Sequence, residues 1–147
     1  MLNERGDYMF RHILLPTDGS IHSIRAAEKA IQIAKLSENS EIEVIYVVDG
    51  NTSKKDVLRS WDSAGIRESR EKKLQAIVHL ANNAGVKYAI KILRGDPANT
   101  ILTYAKDKPF DLIVMGSRGL NSFQEMLLGS VSHRVTKHAQ CPVLIVK

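Results

Sequence analysis

Five short apolar runs, separated by stretches of helical spacing, constrain this chain more than any other feature. Four give clear strand signals: His12 to Leu15, Ile42 to Val48, Asp111 to Met115 and Pro142 to Val146. They are rich in β-branched residues, almost continuously apolar and bounded by Pro, Gly or Asp, as strands covered on both faces are. The fifth, Val86 to Leu93, alternates more and carries a weaker signal.

Between the runs, apolar residues recur at helical spacing. Ser20 to Leu36 starts at a capping serine and repeats apolar residues at Ile24, Ala27, Ala30, Ile31 and Ala34. Ser63 to Ala84 predicts a longer helix with Leu74, Ile77, Val78 and Ala81 on its apolar stripe, stopped by Gly85. Asp96-Pro97 opens a third helix, with Asp as cap and Pro in the first turn. A fourth spans about Ser130 to His138, and its terminal Lys137 and His138 suit the negative end of the helix dipole.

Strict β-α alternation predicts an α/β fold: one parallel sheet, right-handed crossovers and helices on both faces. In such sheets ligands bind at the carboxyl ends of the strands. That nominates the loops at Pro16–Ser20, Val48–Asn51 and Gly116–Gly129. Residues 49–62 are polar and irregular, and are expected to form an insert after the second strand. The 147 residues suit one domain, 1–147, with a loose leader over Met1 to Tyr8.

Composition excludes several classes. With 44% apolar and 25% charged residues the chain is globular, and no apolar stretch is long enough to cross a membrane. The charged amino terminus does not resemble a secretion signal, and a single cysteine, Cys141, forms no intrachain disulfide. Both point to a reducing cytoplasm. The net charge of +5 is scattered among acidic neighbours, and only 5% of residues are aromatic. A nucleic-acid surface is therefore not expected.

The loop after the fourth strand carries the chemistry. It runs from Gly116 through Arg118 and Gly119 to Gly129-Ser130. Glycines at a strand end let the backbone turn tightly and aim N–H groups at an anion. Gly129-Ser130 opens a helix whose free N–H groups and positive dipole end suit phosphate, with Ser130 and Ser132 as further donors. Each feature alone is common turn or cap chemistry. Together, in a strand-to-helix loop, they favour anion binding.

The spacing G-x2-G-x9-G-S, followed by Val131-Ser132 and a closing Cys-Pro-Val-Leu-Ile-Val strand, resembles the universal stress protein family. Ile13-Leu14-Leu15-Pro16-Thr17-Asp18-Gly19-Ser20 resembles its first strand and Asp-bearing loop, and Tyr46-Val47-Val48-Asp49 the end of its second. The likeness spans Arg11 to Lys147. It implies a five-stranded sheet of order 3-2-1-4-5, with ATP or another adenine nucleotide as ligand. By position, Pro16, Thr17 and Asp18 would flank the nucleotide and its metal-associated phosphates, and Val47 would contact adenine. Met115, Gly116, Arg118, Gly119, Gly129, Ser130, Val131 and Ser132 would line the ribose and phosphates. It also implies a homodimer through the last strand, an exposed apolar edge under that strand order.

Rival readings lack their residues. Walker A and the Rossmann glycine triplet are absent, and so is a G-x-S-x-G nucleophile elbow. The third strand ends in Leu93-Arg94-Gly95, without the phosphoacceptor Asp of a response regulator. The five histidines are dispersed; His133 and His138 are five apart, not the four of a zinc pair, and are expected at the surface. Asp18 has two roles open to it: holding Mg²⁺ against phosphates, or capping the helix near Ser20. The expected function is an ATP-binding stress or regulatory protein, a nucleotide sensor with slow or no hydrolysis. The alternatives are a weak ATPase or adenylyl-group enzyme, or a structural dimer with an empty site.

Overall fold

A computed structural model describes residues 10–49, 63–117 and 128–147. The elements follow in the order β1 (His12–Thr17), α1 (Ile21–Ala34), β2 (Glu41–Val48), α2 (Ser63–Ala84), β3 (Lys87–Arg94), α3 (Pro97–Asp107), β4 (Leu112–Gly116), α4 (Ser130–His138) and β5 (Val143–Val146). The five strands form one parallel sheet, β3-β2-β1-β4-β5. This is the α/β architecture and strand order expected.

Successive strand residues point to opposite faces, and both faces of the central strands are covered. Ile13, Leu15 and Val44 pack with Ala26, Ala27, Ala30, Leu74 and Ile77 of α1 and α2. Leu14, Ile45, Ile113 and Met115 pack with Ile101 and Val135 of α3 and α4 on the other side. The alternating β3 is an outer strand, with Ile92 exposed.

The caps are local. Ser20 Oγ accepts from Ser23 N–H and starts α1, and Asp96 accepts from Asn99 N–H and starts α3 with Pro97 in its first turn. Helix α1 ends at Ala34, short of the Leu36 expected, and Leu36 is exposed. Beyond Ala34 the apolar stripe has no sheet to face.

One feature of the sheet prepares the site. β1 pairs with β2 from His12 to Thr17, but with β4 only at Ile13 and Leu14. Past Leu14 the two central strands part at their carboxyl ends. Pro16, which has no N–H for a ladder, sits where the β4 ladder has already ended. The chain also reverses direction of winding between β1 and β4, which makes this the topological switch point.

Candidate functional site

The crevice between β1 and β4 gathers most of the residues named from sequence. From β1 come Pro16 and Thr17, both buried, and then half-buried Asp18. From β2 comes Val47, half-buried on the α3–α4 side. From β4 come buried Met115 and half-buried Gly116. Gly129, Ser130, Val131 and Ser132 follow at the start of α4. Arg118 and Gly119 lie outside the described residues.

The β1–α1 loop is tied to itself. Thr17 Oγ1 donates to Ser23 Oγ at 2.9 Å, which donates to the Ser20 carbonyl at 2.9 Å. Gly19 N–H donates to Thr17 Oγ1 at 3.2 Å, and Ser20 N–H to Asp18 Oδ1 at 2.9 Å. The Thr17 side chain is thus turned toward α1, so it is the Thr17 backbone that borders the crevice. Asp18 spends one oxygen on the turn by accepting from Ser20 N–H, while the cap of α1 is Ser20 and not Asp18. Gly19 holds φ +77°, the left-handed region that favours glycine.

The β4–α4 connection is closed by two bonds. Gly129 N–H donates to the Ser117 carbonyl at 2.7 Å. Ser132 Oγ donates to the Gly116 carbonyl at 2.8 Å from a buried position. Ser117 in turn donates its N–H to Val146 O at 2.9 Å and is itself buried. The single hydroxyl hydrogen of Ser132 is therefore committed to holding α4 against β4, and is not directed at a ligand. Ser130 is exposed at the first helical position.

The result is an open helix start. Unlike α1 and α3, α4 has Gly129 at its cap position and no side-chain cap bond. No side chain among the described residues caps it, and its first N–H groups and positive dipole end suit an anion at the carboxyl end of the sheet.

Gly116 has a packing role as well. A Cβ there would stand 2.8 Å from the His22 carbonyl carbon and oxygen and 2.9 Å from His22 Cβ. The vacated space admits the first turn of α1. His22 is half-buried, with Nδ1 buried and unbonded, whereas His12, His79, His133 and His138 are exposed. Sequence spacing gave no signal for the burial of His22 or Ser117, because each depends on a contact between distant segments.

The groups with shifted titration lie at the opposite end. Burial pushes the Cys141 thiol up, the reverse of an activated thiolate. Lys108 donates to both oxygens of buried Glu43 at 3.0 and 3.2 Å, and Tyr104 donates to the same carboxylate. Among the described residues no group of three or more His, Cys, Asp or Glu side chains could hold a metal. A cation at the crevice would therefore rest on Asp18 and on the ligand's own oxygens. No described helix is long and apolar enough to cross a membrane.

A model of the universal stress protein family matches residues 9–147. A universal stress protein from Methanocaldococcus jannaschii is 41% identical over 145 residues, covering 97% of this chain and 85% of the relative. The solved structure of the hypothetical protein MJ0577 superposes with a TM-score of 0.84 at 31% identity, covering 95% of this chain and 97% of that one. A universal stress protein solved in complex with cAMP superposes with a TM-score of 0.70 at 27% identity, covering 95% and 98%.

Proposed function

Because the chain belongs to the universal stress protein family, we propose that it is an ATP-binding regulatory protein of the cytoplasm, a nucleotide sensor that holds ATP with Mg²⁺ and hydrolyses it slowly or not at all. The observation that carries this reading is the uncapped start of α4, fixed at the strand switch point by the Gly129–Ser117 and Ser132–Gly116 bonds. A helix start leaves its first N–H groups without partners in the helix, and phosphate supplies them. Pro16, Val47 and Met115 offer an apolar floor on the α3–α4 side of the sheet for a flat base. The cAMP complex of a relative supports an adenine nucleotide as the ligand class.

Asp18 is the residue to hold Mg²⁺. That ion keeps several waters and takes one or two carboxylates beside substrate phosphates, so a single aspartate fits the need. Hydrolysis also requires an oriented water and donors that favour the transition state. Backbone N–H groups at a helix start hold ground state and transition state about equally, and uniform binding does not accelerate chemistry.

Calorimetry with ATP and Mg²⁺ tests the site. Gly129 holds φ −63° and ψ 158°, a conformation open to any residue, so Gly129→Val probes space, not backbone strain. The variant is expected to fold and to lose ATP binding; equal affinity in both proteins would sink the assignment. Phosphate release tests the sensor role. Turnover of about 1 s⁻¹ or faster, the ordinary enzyme range, abolished in Asp18→Ala, would make the protein an ATPase instead.

A further inference from the structure

We propose that Lys73 of α2 is a further ligand of the bound nucleotide, which selects polyphosphate over monophosphate; this rests on the adenine-nucleotide reading of the crevice. The evidence begins at Gly19. A Cβ on Gly19 would stand 2.5 Å from Lys73 Cδ, 2.7 Å from Cβ and 2.9 Å from Cγ. The whole lysine stem therefore lies across the bare backbone of the β1–α1 loop, one residue from Asp18. Two bonds beyond Cδ, the ammonium cannot leave the neighbourhood of that loop.

Among the described residues no hydrogen bond or ion pair engages the Lys73 ammonium, while Lys108 and Arg134 are both committed to carboxylates. Its stem is half-buried, so part of the entropy of ordering a lysine is already lost. One turn earlier on the same helix, Arg70 lies over the Tyr46 ring with its guanidinium carbon 5.5 Å from the centroid. Tyr46 precedes Val47 at the end of β2. Helix α2 thus carries two cations along the carboxyl ends of β1 and β2.

The start of α4 borders the crevice from the β4 side, and the Lys73 stem lies against the β1–α1 loop at Gly19 on the other side. An α-phosphate held on the helix start leaves further phosphates to extend past Asp18. A lysine is a point charge on a flexible stem, suited to oxygens whose exact position varies with the metal. AMP and cAMP have no phosphate beyond the first, and so nothing for Lys73 to hold. The left-handed Gly19 then has a second use. Any side chain there would lift the lysine off the loop.

The test is calorimetry of wild type, Lys73→Met and Lys73→Arg with Mg-ATP, AMP and cAMP, with thermal melts as the check on folding. Methionine keeps a long apolar stem over Gly19 and removes only the charge. A charged hydrogen bond to phosphate is worth enough that ATP affinity should fall about tenfold in Lys73→Met. AMP and cAMP affinities should hold within about twofold, and Lys73→Arg should keep most of the ATP affinity. Raising the salt should narrow the gap between wild type and Lys73→Met. Equal loss for ATP and AMP, or no loss for ATP, overturns the inference while leaving the site intact. Wild type that binds AMP or cAMP but not ATP also overturns it. Wild type that binds none of the three overturns the site reading itself, and this inference with it.

Discussion

At the scale of single residues, the crevice is built by atoms that look interchangeable in the sequence but are not. Thr17, Ser20 and Ser23 use their hydroxyls on one another and on the loop backbone. Ser132 uses its own to pin α4 to β4. Gly116 gives its missing side chain to a contact with α1. A Cβ at 2.8 Å from two backbone atoms of His22 cannot be relieved by rotating a side chain. Gly116→Ala should therefore destabilise the fold by about 1–3 kcal/mol, the usual cost of overpacking. Urea unfolding measures it, through a lower midpoint at unchanged slope. A midpoint equal to that of wild type would mean that the start of α1 is free to shift.

At the scale of elements, α3 is held at its two ends by different devices. The start of α3 is joined to α4 through Arg134, which bonds Asp96 at 3.3 Å and Asn99 at 2.7 Å. Its far end is joined to β2 through Glu43, a carboxylate buried in the middle of the sheet and satisfied by Tyr104 and Lys108. The bond to Glu43 holds the Lys108 pKa above its ordinary value. Burial, then the bond to Glu43, does the same for Tyr104. Both shifts are upward, so the stability they contribute is complete below the ordinary pKa values of the two groups. It is lost as pH rises through the raised ones. Urea unfolding from about pH 8 to about pH 11, spanning the ordinary lysine and tyrosine values, should show stability falling toward the alkaline end. Tyr104→Phe keeps the ring beside Phe110 and removes the proton, so it should flatten that fall. An identical slope in the variant would show that the cluster does not couple to folding.

At the scale of the whole molecule, the sheet has two edges of different character. β3 is eight residues long and carries Lys87, Lys91 and Arg94, charges that discourage pairing with another chain. β5 is only four residues, all apolar, and pairs with β4 alone among the described residues. Leu144 is exposed on it. A homodimer through β5 would cover that edge, and light scattering at micromolar concentration should give double the chain mass. Leu144→Lys should return the mass to that of one chain without loss of the fold. A wild-type protein that stays monomeric with and without ATP would exclude this assembly.

The alternation of apolar runs with helical spacing was enough to determine an α/β fold with a parallel sheet. Strand direction follows from the length of each crossover, and burial from the lack of polar residues in each run. Ser20 and Asp96 were legible as caps because a cap is a contact across three residues of chain. The region of the candidate site was nominated by signals of the same local kind: glycines at a strand end and a Gly-Ser before a helix. The tertiary structure alone decided which way the groups at the site point. That Ser132 serves β4, that Gly116 admits His22 and that Lys73 lies over Gly19 are contacts between segments far apart in sequence, whereas the turn of the Thr17 hydroxyl to Ser23 spans only six residues. Glu43 is the plainest case. Within its strand it is a polar interruption like any other, and it is buried only because Tyr104 and Lys108, some sixty residues later, arrive to meet its charge. Local pattern sets which elements form, because propensity and periodicity act over a few residues; the partner of each polar group is set by packing, which acts across the whole chain.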